Sequence, residues 1–216
     1  MTISKTRKVA TIGMFCALAY ITMMVIKIPV VAFLKYEPKD VIITICGLIF
    51  GPLMSLAVSV IVSFVEMITV SDTGIIGFFM NILSTSAFAC TASLIYRNGK
   101  SVKSAIIGLF SGVVVMTIVM ILWNYIITPI YMGIPRADIV GMLAPVFLTF
   151  NLLKGFLNAA LTYLLYNPVI KGLRAAHLVP KSTSDKPKKV NTVLIIVSAG
   201  ILITGTFIIL AMNKII

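Results

Sequence analysis

The chain has 216 residues, 60% of them hydrophobic and 11% charged, against about 45–50% and about 25% in soluble domains. Its mean hydropathy is +1.12, and several apolar runs reach the roughly 20 residues that cross a bilayer as helix, so the chain reads as an integral membrane protein. The runs are continuous rather than alternating, which argues against a transmembrane barrel. The net charge of +12 does not signal nucleic acid, because the cations lie between apolar runs, as topology signals do.

The first span is expected over about 9–30, behind the basic start "MTISKTRK". This run is too long for a signal-peptide core and lacks an A-x-A site, so it reads as a retained helix. Gly13 and Ala17, with Ala10 nearby, form a small-x-x-x-small pattern. Such pairs let helices approach closely, either within the chain or against a partner. The outer segment "FLKYEPKD" (33–40) is charged, aromatic and stiffened by Pro38. It reads as an ordered lid or as a solvated loop.

The next run, 41–69, would be about 43 Å long as one helix, against about 30 Å of hydrocarbon. Gly51 and Pro52 interrupt it, and proline removes a backbone donor and disfavours helix at the residue before it. The distribution of positive charge decides for two short spans. With the split, Arg97, Lys100, Lys103, Lys171 and Arg174 fall on the same side as Lys5, Arg7 and Lys8, the cytoplasmic side. Lys27, Lys35, Lys39 and Arg136 fall outside, balanced by Glu37, Asp40, Asp72 and Asp138.

Three spans follow, at about 75–96, 104–131 and 141–169, giving a six-helix unit over 1–175 with both ends inside. A polar linker, 176–190, carries Lys181, Lys186, Lys188 and Lys189. Residues 191–216 then hold a further transmembrane helix that ends near Lys214, outside. The fold class is an all-α polytopic membrane protein. Cys16, Cys46 and Cys90 lie inside apolar runs without paired spacing and read as small buried hydrophobes.

Polar groups at membrane depth are costly and are functional candidates by default. Glu66 and Lys154 are the ionisable residues deep in these runs. Asn151 and Asn158 flank Lys154 at i−3 and i+4, on one helix face. Asn124 lies in "LWNYIITPIYMG" (122–133), ahead of Pro129, and Asn81 in "FFMNIL". Asn81 or Asn158 alone reads equally well as glue between helices. Asn124, Asn151 and Lys154 together suit a planar ligand edge, because amides donate and accept side by side whereas lysine only donates. Pro129 is expected to open the helix end above that site. Trp123, Tyr125, Tyr131 and Phe150 are expected either to wall an aromatic ligand or to anchor the interface.

No catalytic constellation is present. H-E-x-x-H and G-x-S-x-G do not occur, and "NGKS" (98–101) has Leu94 where a phosphate-binding loop needs glycine. The chain is read as a non-enzyme without cofactor or metal, and energy for pumping would come from a partner.

In order, "FLKYEPKD", "GLIFGPLMSL", "VE" before "TG", "MNIL", "WNYIITPIY" and "FNLLKG" resemble the riboflavin-specific substrate-binding (S) component of energy-coupling factor (ECF) transporters, over about residues 5–172. The resemblance implies a six-helix S-component bundle in a bacterial plasma membrane, with a cytoplasmic N-terminus and riboflavin as transported substrate. It implies that Asn124, Asn151 and Lys154 bond the isoalloxazine edge, and that the first outer loop, with Lys35 and Tyr36, covers the pocket. Glu66, Asn81, Tyr125 and Asn158 complete the candidate set. Ala10, Gly13 and Ala17 would meet a membrane coupling subunit, with two ATPase subunits completing the complex. The alternatives are an S component for another vitamin or for FMN, or a membrane scaffold. The seventh span lies outside the family pattern.

Overall fold

The computed structural model describes residues 5–31, 34–179 and 192–212. Helix α1 (Lys5–Val25) leads into a small antiparallel hairpin, β1 (Ile28–Val31) and β2 (Leu34–Tyr36). The first span is therefore shorter than its hydropathy suggests. Pro29 cannot continue a helix, and the β-branched pair Val30 and Val31 favours the extended chain. From Leu34 to Tyr36 the outer segment is a strand rather than solvated loop, and Tyr36 is buried.

The expected break at 51–52 is present. Helix α2 (Lys39–Phe50) and helix α3 (Pro52–Thr69) meet at Gly51, whose φ of 99° is a conformation that L side chains rarely adopt. Pro52 opens α3 at a position where its missing N–H leaves nothing unpaired. With 12 residues, α2 rises only about 18 Å. It is the central helix, packed against α1, α3, α4 (Gly74–Gly99) and α6 (Arg136–Ala175). The hairpin sits above its N-terminus. Lys39 and Asp40, expected as outer-loop charges, are the first residues of α2 and are buried.

Helix α5 (Val102–Met132) starts at a capping box between Ser101 and Ser104. It runs on through Pro129 and ends at Gly133, which is left-handed with φ 66°. Pro129 thus does not open the helix end; the glycine four residues later stops it. Helix α6 spans 40 residues, with a wider π-helical turn at Leu143–Leu148. Pro145 lies in that turn, and its missing N–H removes one i−4 bond from the ladder. Helix α7 (Thr192–Met212) packs on α6 and touches β1. Five of these helices are long and apolar enough to cross a membrane, and the apolar part of α1, Val9–Val25, is slightly shorter. The side chains of Lys5 and Lys8, most of the expected linker with Lys181, Lys186, Lys188 and Lys189, and Lys214 lie outside the described residues.

Candidate binding cavity

A cavity of about 230 Å³ opens at the end of the bundle that carries the hairpin and the α3–α4 turn. Asn124 from α5, Asn151 and Lys154 from α6, Asn81 from α4, Glu66 from α3 and Lys35 from the hairpin all line it. Leu34, Met80, Met120, Tyr131 and Phe150 supply the apolar wall. Four sequence-named residues lie elsewhere. Tyr125 is on the outer face of α5, with the Arg136 guanidinium 5.2 Å from its ring centroid. Tyr36 and Asn158 are buried below the cavity, the Tyr36 hydroxyl donating to Asn158 Oδ1 at 3.1 Å. Trp123, expected as a possible wall, packs in the apolar cluster between α4 and α5.

The floor is an ion-pair network centred on Asp40. Its carboxylate accepts from Thr85 at 2.7 Å, from the Lys154 ammonium at 2.9 Å and from Asn158 Nδ2 at 3.2 Å. Lys154 also reaches Ser84 Oγ at 3.4 Å. Lys39 bridges Glu37, at 2.7 Å, and Glu66. Asn81 Nδ2 donates to Glu66 at 3.0 Å, and Lys27 lies 3.4 Å from Glu37. Lysines 27, 39 and 154 thus balance Glu37, Asp40 and Glu66. A buried charge is tolerated when it is paired and hydrogen-bonded, and these pairs meet both conditions. The face expected from Asn151, Lys154 and Asn158 exists but divides by depth. Asn151 and Lys154 reach the cavity, and Asn158 holds Asp40 one turn below.

Lys39 and Asp40 escaped the sequence reading because they border an apolar run and looked like loop charges. In the structure Asp40 lies in the first turn of α2, where an acidic residue complements the macrodipole, and Thr44 Oγ1 one turn on donates to its backbone carbonyl at 2.6 Å.

The cavity amides keep bonding capacity. Asn151 Nδ2 donates to the Phe147 carbonyl, at 2.7 Å, within the wide turn that precedes it. Among the described residues its Oδ1 has no donor, and its second N–H is unused. Asn124 donates to the Met120 carbonyl at 2.7 Å and accepts from Thr128 at 2.9 Å, which leaves one N–H. Asn81 keeps its Oδ1. Donors and acceptors therefore alternate along the wall above an ammonium, an array that suits a planar ring edge with carbonyl and N–H groups.

The rim is exposed. Lys35 Nζ bonds Asp72 Oδ2 at 3.0 Å across the mouth, joining the hairpin to the α3–α4 turn. That bond and the lysine charge hold the Asp72 carboxyl below its ordinary range. Burial, and then the charge of Asp40, push the Tyr36 phenol well above its ordinary range.

Ala10, Gly13 and Ala17 are exposed on α1, and a Cβ on Gly13 would meet nothing within 4 Å. The described α7 packs on α6 and β1, leaving this face uncovered.

A family model, ECF transporter, substrate-specific component, matches residues 7–166. The riboflavin transporter RibU of Staphylococcus aureus (strain TCH60) is 29% identical over 184 residues, covering 81% of this chain and 96% of that protein. The riboflavin transporter FmnP of Bacillus subtilis (strain 168) is 26% identical over 194 residues, covering 81% and 99%. A solved S component of a bacterial ECF transporter superposes with a TM-score of 0.68 at 28% identity, covering 79% of this chain and 99% of that one.

Proposed function

The chain belongs to the substrate-specific components of ECF transporters, and from that membership we propose that it is the riboflavin-capture subunit of a vitamin uptake system. The observation that carries this reading is the cavity wall: Asn124, Asn151 and Asn81 hold unused amide groups beside Lys154 and Phe150. In this reading the amides bond the carbonyl and N–H edge of the isoalloxazine, and the apolar wall packs against its rings. The relatives named as riboflavin transporters support that ligand.

The protein is a multi-pass membrane protein. The cavity end is read as the outside and the N-terminus as cytoplasmic. Arg97, Lys100, Lys103, Lys171 and Arg174 lie toward the opposite end, at or between the far ends of α4, α5 and α6, as the positive-inside rule requires of cytoplasmic segments. Residues 1–175 then form the binding unit, 176–190 the linker and 191–216 an added helix. The ligand is transported cargo, and the energy comes from an ECF module made of a membrane coupling subunit and two ATPase subunits. The open face at Ala10, Gly13 and Ala17 is the docking surface for the coupling subunit, since small residues permit close helix approach.

Two experiments test this reading. The detergent-solubilised protein is expected to co-purify with flavin absorbance and to quench added riboflavin fluorescence; a colourless protein that leaves the fluorescence unchanged refutes it. Gly13→Trp is expected to keep riboflavin affinity while cellular uptake stops. Uptake at the wild-type rate removes the docking surface from α1.

A further inference from the structure

Helix α7 lies beyond the 7–166 span that the family model matches. It is not a loose lipid-facing addition. Gly205 approaches α6 so closely that a Cβ there would sit 2.6 Å from Leu157 Cδ2 and 3.4 Å from Leu153 Cδ1. Within a bilayer such contacts hold helices together through packing rather than through the hydrophobic effect. One helical turn further on, Ile209 is buried and belongs to the same apolar cluster as Val30, Leu34 and Tyr36 of the hairpin and Phe147, Phe150 and Leu157 of α6. Leu202 and Met212 pack against that cluster too. Two of its members, Leu34 and Phe150, also line the cavity. The opposite face of α7, with Ile196, Ile203 and Phe207, is exposed.

A two-stranded hairpin by itself is marginal and needs an apolar partner to hold its shape. Here the hairpin forms part of the cavity mouth, and α7 and α6 together supply that partner. We infer that α7 is an intramolecular buttress: seated on α6 through Gly205, it holds the hairpin against the cavity through Ile209 and so slows ligand escape. The consequence for ligand escape rests on the riboflavin reading above; the ordering of the hairpin does not.

Hydrogen exchange on the full-length protein in detergent separates the two. Gly205→Leu forces α7 off α6, and Ile209→Ala thins the hairpin contact without disturbing the helix seat. Each is expected to speed amide exchange across 28–36 by about 10-fold, with α4 and α5 unchanged, because local opening is governed by local contacts. Ile203→Ala, on the exposed face, is the control and is expected to leave exchange as in wild type. Riboflavin dissociation is expected to accelerate in the same two variants. Unchanged exchange over 28–36 in Ile209→Ala overturns the buttress, as does acceleration spread equally over every helix. Faster hairpin exchange in a protein that never binds riboflavin keeps the buttress and refutes the ligand.

Discussion

The cavity has two ion-paired regions with opposite relations to solvent. At the floor, Asp40 is fully buried and has the Lys154 ammonium at 2.9 Å, with Thr85 and Asn158 completing its bonds. At the rim, Lys35 and Asp72 form a bond of nearly the same length, 3.0 Å, with both side chains exposed. Distance alone would rank them as equals, but their surroundings do not. A buried charge that loses its partner has no water to replace it, whereas an exposed one is resolvated at once. The floor therefore holds the bundle in shape, and the rim only joins the hairpin to the α3–α4 turn.

Substitutions test that contrast in descending order. Asp40→Ala removes the shared partner of Lys154, Thr85 and Asn158, and it is expected to destabilise the bundle by about 3–5 kcal/mol, the scale for breaking a buried pair. Thermal unfolding in detergent measures this, and a midpoint close to wild type would show that the floor is not structural. Asn151→Ala comes next. Its one bond is to the carbonyl of its own helix, so folding is expected to survive while riboflavin affinity falls by about 1–3 kcal/mol, the cost of a lost buried partner. An equal loss of stability would mean that Asn151 belongs to the floor and not to the binding wall.

Asp72→Asn is expected to have the smallest effect, leaving unfolding unchanged and speeding riboflavin exchange slightly. The pH dependence follows from the lowered Asp72 carboxyl. Its interaction with Lys35 is fully present above the ordinary carboxylate range and is lost as pH falls through the lowered value. Exchange rates at the mouth are therefore expected to stay flat from neutral pH down to the carboxylate range and to rise only in stronger acid. A stopped-flow pH series reads this, and a rise centred near neutrality would assign the rim to another group.

Much of this architecture was legible in the sequence. The split at Gly51–Pro52 followed from helix length and charge placement, because both are set by the bilayer. Asn124, Asn151, Lys154, Glu66 and Asn81 stood out because polar groups inside apolar runs need a reason. The hairpin did not stand out, since a tertiary contact, with α6 and α7, gives strands β1 and β2 their form. Lys39 and Asp40 were hidden for a related reason. A charge at the edge of an apolar run looks the same whether the helix starts at the surface or deep in the bundle. Pro129 misled in the other direction, since α5 absorbs one missing bond and ends only at the left-handed Gly133. Tyr125 and Asn158 show the remaining limit. Sequence proximity to Asn124 did not show that Tyr125 faces outward, and helical spacing gave Asn158 its face but not its depth below the cavity.

Calorimetric titration of riboflavin into the wild-type protein and into Asn151→Ala, both in the same detergent, decides whether the amide-lined cavity binds riboflavin. One tight site in the wild type, weakened by about 5-fold to 150-fold in the variant, is the expected result. No heat from the wild type, or identical isotherms for the two proteins, would contradict it.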